Sequence, residues 1–364
     1  MRFASIFVVA CCLLSPLHAS EPMRPSTVEQ ALATPANLAF DDAKLRDVAE
    51  WLSKKYRIKV FLDEASLADA KLSDVRITKS SKSDCLAIAL MEVLKPYSLK
   101  WISEDEVLYL ASAERWEHTV HVYRAESPEK AKENCERLKR EYLPGTWSTA
   151  DDYRDGRATA YGRAVVIERS SVDHFMIRRR FADVLTRLDA DASNLLPAKL
   201  LAPCDVEFVD AKLVDVAKWF GKETGLAVTV DKQSLKDEAI SSEVRFSKRI
   251  TNVSMAAALD LLLREETIGW TCSSSSVSIA SRESLQSEPM TAVYDARGLV
   301  LNEREDLVDL ITSFVPGEFL PESNGQTPIK YAEPGYIVVD FPFEVQRLIA
   351  PVIQELRWAL NDNQ

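Results

Sequence analysis

Histidines, paired carboxylates and cysteines are the side chains here whose type and spacing could do chemistry. His118 and His121 are the closest histidine pair. Three residues apart in an alternating stretch, they point to opposite faces of a strand, whereas a metal ion needs converging ligands. The pair therefore reads as surface residues. His174 stands by itself beside Arg178-Arg179-Arg180, a run that reads as a solvated helix face. Asp41-Asp42, Asp151-Asp152 and the acids of 303–306 are carboxylate clusters. Paired carboxylates do acid–base work where a cleft drives their pKa values apart. At helix starts they simply favour the helix dipole. Ser273 to Ser276 have no histidine near them in sequence, and no nucleophile signature is found. No catalytic residue, cofactor-binding residue or metal ligand is assigned. A protein without enzymatic activity or cofactor is expected.

The cysteines bear on the compartment. The first 19 residues read as a cleaved secretory signal: Arg2, then apolar residues 6–14, then Pro16-Leu17-His18-Ala19 with a small residue for cleavage. The apolar run is too short to span a bilayer, and no later stretch is long enough. Export favours disulfides. Four cysteines follow the signal, and none has a cysteine at its matching position elsewhere in the chain. Cys204 and Cys272, both at strand edges, are the candidate disulfide. The net charge is −11. That excess of acid disfavours nucleic acid and anionic lipid as partners. With 46% hydrophobic and 28% charged residues, the 364-residue chain has the balance of folded domains.

The elements that must position these residues are written twice. Residues 40–73 recur as 208–241 without a gap, and 16 of the 34 paired positions are identical. In the first copy Leu45, Val48, Ala49 and Leu52 form one helical face, with Asp42 as its expected N-cap. Strands are expected at 58–62 and 75–77. A helix follows with Leu86, Leu90, Val93 and Leu94 on one stripe, then a hairpin over 99–102 and 107–110. The order is βαββαββ, called A here. A second kind of unit, B, starts with a strand at 118–124 in which Val120 and Val122 share a face. A helix over 128–142 begins with Ser127-Pro128. A strand at 164–168 and a helix over 172–188 complete βαββα. Both kinds recur, with Trp270 matching Trp101 and Val293-Tyr294 matching Val122-Tyr123.

The expected architecture is therefore α+β, four small domains in the order A-B-A-B. The signal takes 1–19, a linker 20–37, A1 38–112 and B1 118–188. A second linker takes 189–204, A2 205–282 and B2 290–361. Trp51 and Trp219 flank the apolar stripe of the first helix in each A unit. They belong either to a wide buried face or to a packing contact between an A and a B domain.

Phe208-x-Asp210-Ala211-x-Leu213-x-Asp215-Val216-Ala217, then Gly225-Leu226-x-Val228-x-Val230, then Val253-Ser254 to Leu263, resembles the short N-terminal domain of secretins and TonB-dependent transducers. A1 is a looser copy, with Arg57 in the glycine's place. The B units resemble the small modules that follow this domain in secretins. The stretch from Val293 to the last helix looks most like planctomycete-type envelope proteins that carry such modules without a channel. The B order is also similar to that of KH RNA modules, but the Gly-x-x-Gly clamp of those modules does not occur. The resemblance implies periplasmic interaction modules. No stretch of long alternating strands follows Leu360, so a channel made by this chain alone is not expected. The expected function is an envelope adaptor that binds envelope proteins or associates with itself, without nucleic acid, membrane span or small-molecule cofactor. A ligand-binding or sensory module with a pocket between repeats is the alternative.

Overall fold

The computed structural model describes residues 28–104, 107–115, 119–147, 156–187, 196–264, 267–287, 289–301, 304–316, 319–320, 328–332 and 334–360. The expected signal sequence, His118, Asp151-Asp152 and Glu303 lie outside them. The fold is mixed α+β.

A1 comprises α1 (Val28–Leu32), β1 (Ala36–Lys44), α2 (Leu45–Tyr56), β2 (Lys59–Leu62), α3 (Glu64–Asp69), β3 (Arg76–Ser83), α4 (Leu86–Leu94), β4 (Leu99–Glu104) and β5 (Val107–Ser112). B1 follows with β6 (Thr119–Arg124), α5 (Pro128–Glu141), β7 (Arg157–Tyr161), β8 (Ala164–Arg169), α6 (Ser171–Arg180) and β9 (Thr186–Arg187). A2 has α7 (Ala198–Leu201), β10 (Pro203–Lys212), α8 (Leu213–Thr224), β11 (Ala227–Val230), α9 (Lys232–Asp237), β12 (Arg245–Ser254), α10 (Met255–Leu263), β13 (Ile268–Cys272) and β14 (Ser276–Ser281). B2 has α11 (Arg282–Ser287), β15 (Met290–Asp295), α12 (Arg304–Thr312), β16 (Ile329–Ala332), β17 (Tyr336–Phe341) and α13 (Phe343–Leu360).

Each A unit carries two sheets. In A1, β1 pairs antiparallel with β3, while β5 lies between parallel β2 and antiparallel β4. A2 repeats this, with β10 on β12 and β14 between β11 and β13. B1 has the sheet order β7-β8-β6-β9 and B2 the order β15-β17-β16.

The duplication extends to strained backbone. Left-handed residues come in pairs: Asp42 and Asp210 (φ 47° and 53°), Arg57 and Gly225 (56° and 63°), Lys71 and Ala239 (58° and 55°), Ser98 and Thr267 (56° and 54°). This corrects the reading of Asp42 as a helix cap. α2 starts at Leu45 from an extended Lys44 that makes no side-chain cap bond. Asp42 sits in a β-bulge between Phe40 and Ala43, a place where an extra residue takes an unusual backbone conformation. Its N–H donates to Thr78 Oγ1 at 2.9 Å, and Arg76 donates to its carbonyl at 2.7 Å and its carboxylate at 2.5 Å. In A2 the Asp210 N–H donates to Ser247 at 2.9 Å, and Arg245 donates to the Asp210 carbonyl and carboxylate at 2.9 and 2.6 Å.

Other boundaries also differ from expectation. α1 and the start of β1 fall within the expected linker 20–37, and α7 and the start of β10 within 189–204. The last helix of B1 ends at Arg180 rather than at 188. No proline or glycine stops it. Phe181 leaves the helical geometry and drops fully into the B1 core, and its carbonyl accepts from the N–H groups of Val184 and Leu185.

Candidate functional site

The polar side chains of interest gather at the seams between units. A1 meets A2 through the outer face of its three-stranded sheet. Alternation along β4 and β5 sends Trp101, Leu108 and Leu110 into A1's own core, and Ile102, Val107, Tyr109 and Ala111 into that of A2. An ion cluster closes the rim. Arg115 reaches Asp63 at 2.8 Å and Glu104 at 3.3 Å, and Arg264 of A2 reaches the same two carboxylates at 3.8 and 3.1 Å. Both guanidinium groups also lie over the Tyr109 ring, at 5.6 and 4.9 Å. Burial pushes the Glu104 carboxyl up, but the charges of Arg264 and Arg115 outweigh it and hold the group below its ordinary value.

B1 meets B2 in the same manner. Val120, Val122, Tyr161, Ala164 and Val166 leave the B1 sheet on its outer side and join the core built around α13. Glu355 of α13, 4% exposed, accepts the Val122 N–H at 2.7 Å. Its other oxygen lies 3.4 Å from His121 Nδ1.

The A-to-B seams are a matched pair. Trp101 meets Phe175 of α6 edge-on at 6.3 Å, and Trp270 meets Phe343 of α13 at 5.4 Å. Trp270 also donates to Asp260 at 2.7 Å, and Arg347 pairs with that carboxylate at 3.2 Å. The run Arg178-Arg179-Arg180 is not simply solvated. Arg178 binds Glu29 at 2.8 Å, Arg179 binds Asp84, and Arg180 lies over the Phe181 ring. The hydrogen bond from Arg179 holds the Asp84 carboxyl below its ordinary value. Sequence reasoning missed this because both acids come from A1, more than ninety positions away.

Trp51 and Trp219 find their ring partners inside their own units. Trp51 meets Phe40 at 5.4 Å and Tyr56 at 6.2 Å, and Trp219 meets Phe208 at 5.7 Å and Phe220 at 5.0 Å. The candidate disulfide is not formed. Cys204 and Cys272 are buried free thiols, on strands of two different A2 sheets. Burial pushes the Cys272 thiol up to about 11, against the pull of Arg347, and raises Cys204 likewise. Both are therefore poor nucleophiles. His174 is not solitary: it is 2% exposed and meets the His121 ring at 4.5 Å. The Ser273 and Ser276 hydroxyls bond each other at 2.8 Å, closing the β13–β14 turn. A shallow hollow of about 570 Å³ on A1 is lined by Lys79, Ser80, Glu92, Lys95 and Pro96. It belongs to one unit rather than to a seam. Among the described residues no group of three or more His, Cys, Asp or Glu could hold a metal ion. No helix among them is long and apolar enough to cross a membrane.

No family model and no curated protein matches the chain. Among solved structures, it is similar to a chain from Parabacteroides distasonis assigned as an anti-sigma factor, at 11% identity and TM-score 0.19, over 27% of this chain and 41% of that one. It thus spans less than half the length of that neighbour. It is also similar to a fragment of XcpQ, at 12% identity and TM-score 0.17, over 64% of this chain and 99% of that one. A dimeric mutant of the N-terminal domain of the secretin XcpQ from Pseudomonas aeruginosa is a third, at 12% identity, TM-score 0.14 and the same coverages of 64% and 99%.

Proposed function

We propose that this chain is an exported, non-enzymatic adaptor of the cell envelope, and that it binds protein through the outward sheet of its second half. One observation carries the reading. Val122 of B1 is fully buried under α13, whereas Val293, at the same position of β15, is 63% exposed. β15 is moreover an edge strand of its sheet. Unpaired strand edges and flat sheet faces are where extended or helical segments of other proteins dock. The ionic side chains support a scaffold: in the seams they hold one unit to the next. The resemblance of 208–279 to short secretin and transducer domains supports an envelope location, as does the apolar leader. A small-ligand reading needs a polar hollow between repeats, and the A1 hollow is not one.

The test is a photo-crosslinking residue placed at Val293 in the full chain, irradiated in intact envelopes. One discrete protein adduct is expected at that site and none from a control at buried Val122. Equal adducts at both sites, or none at Val293, would overturn the reading.

A further inference from the structure

Each B unit holds the same buried relay between its first strand and its last helix. In B2 it is made by Gln346, the fourth residue of α13. Its oxygen accepts the Tyr294 hydroxyl at 2.7 Å, and its Nε2 donates to the Met290 carbonyl at 2.7 Å. In B1 the fourth residue of α6 is His174. Its Nδ1 lies 2.9 Å from the Tyr123 hydroxyl and its Nε2 lies 3.1 Å from the Thr119 carbonyl. Tyr123 and Tyr294 are both fifth in their strands, and Thr119 and Met290 both first. A carbonyl only accepts, so Nε2 carries a proton. The amide oxygen takes the tyrosine hydroxyl in the twin, so Nδ1 is the acceptor here. His174 is thus assigned as the neutral Nε2–H tautomer.

The glutamine relay does not titrate, whereas the histidine relay can. It also adjoins a second titratable pair that B2 lacks. His121 stands where B2 has Ala292, and it meets both the His174 ring and Glu355. Among the described residues, Tyr123 from β6 and Glu355 from α13 face the two imidazoles. On α6, Asp173 accepts from Tyr142, just past α5, at 2.7 Å. Across the strand from His121 stands Ile167.

We propose that the B1–B2 seam is a proton-operated joint. A first proton, on His121, ties β6 to Glu355, and a second, on His174, releases α13 from B1. The first proton gives the buried carboxylate its countercharge. The second places two imidazolium rings 4.5 Å apart and turns Nδ1 into a donor facing the hydroxyl that was its own donor. Like charges at that range in a buried site disfavour each other strongly. The seam is tightest while one proton is held and opens on the acid side. Histidine is the side chain whose ordinary charge change falls between pH 5 and 8, the range the measurement below spans.

The experiment is a distance measurement in the full chain between spin labels at Lys132→Cys in B1 and Lys330→Cys in B2, both exposed positions. It runs from pH 8 to 5, with circular dichroism at each pH to separate opening from unfolding. One short distance is expected at neutral pH. A longer population then grows on the acid side, by at most about tenfold per pH unit for one proton. His174→Gln should abolish that growth, and the fold accommodates glutamine there because B2 already does. His121→Ala should loosen the seam at neutral pH. Equal acid opening in wild type and His174→Gln, or one unchanged distance down to pH 5, would overturn the proposal.

Discussion

β5 of A1 reads Val107-Leu108-Tyr109-Leu110-Ala111-Ser112, and all six residues are buried. Its twin β14 in A2 reads Ser276-Val277-Ser278-Ile279-Ala280-Ser281, and Ser276 and Ser278 are partly exposed. The backbone pairing is the same, parallel on one side and antiparallel on the other. What differs is the second face. In A1 it is covered by A2, and a strand covered on both faces becomes continuously apolar. In A2 that face meets water and takes serines. The B units diverge in the same direction at one position: buried Val120 of B1 matches exposed Thr291 of B2, whose hydroxyl donates to Asp340 at 2.9 Å. Two stacked copies thus end in a polar cap. Within this outward face Val293 stands out as an exposed apolar residue beside Thr291.

The largest test of this comparison exchanges the third residue of the two strands. Tyr109→Ser should cost about 3–4 kcal/mol, as expected for emptying a buried aromatic position, because Tyr109 is 3% exposed and carries both guanidinium groups. Ser278→Tyr should move stability by less than about 0.5 kcal/mol, as a surface change does. Urea unfolding of both variants measures the asymmetry, and equal costs would mean that the two faces are used alike. Arg264→Met comes next. It leaves Asp63, 5% exposed, and Glu104 to share Arg115. The expected loss is about 2 kcal/mol, below the full value for breaking a buried pair because Glu104 keeps 43% of its side chain in water. The pH dependence follows from the lowered Glu104 value. A carboxylate held below its ordinary value stabilises the fold above the ordinary range, and that contribution fades as pH falls through the lowered value. Arg264→Met should flatten this acid-side loss in a melting series between pH 6 and pH 3.

The sequence made the repeat and the inward faces legible because both are local. Leu45, Val48, Ala49 and Leu52 were readable from helical spacing alone, and all four are buried. The seams were legible only in part. The unbroken apolar run from Val107 to Ala111, against alternation in its twin, carried the signal of a second covered face. His174 carried a weaker one, since Gln346 holds its place in the other copy. The three arginines at 178–180 carried none. Whether a surface guanidinium is solvated or paired depends on where a distant helix puts Glu29 and Asp84. The halt of α6 at Arg180 was also illegible, because the pull of the B1 core on Phe181 ends it rather than any local breaker.

The smallest effect sharpens the comparison within the repeat itself. Arg57 and Gly225 close α2 and α8, the matching helices of the two A units, in the left-handed region. A side chain there crowds the carbonyl, at a cost of roughly 1–2 kcal/mol for an L-residue, while glycine takes the conformation freely but loses more chain entropy on folding. Arg57→Gly should therefore stabilise the chain by about 0.5–1 kcal/mol net. Gly225→Arg should destabilise it by about 1 kcal/mol, and its Cβ would come within 3.2 Å of Lys199 Nζ. Thermal unfolding of the two single variants and the double exchange reads this directly. The two sites lie in separate A units, so their effects should add. Opposite signs in the single variants and near-cancellation in the double would place the divergence at this position in backbone strain alone. A double that differs from the sum would mean that the A1–A2 seam transmits strain from one helix end to the other.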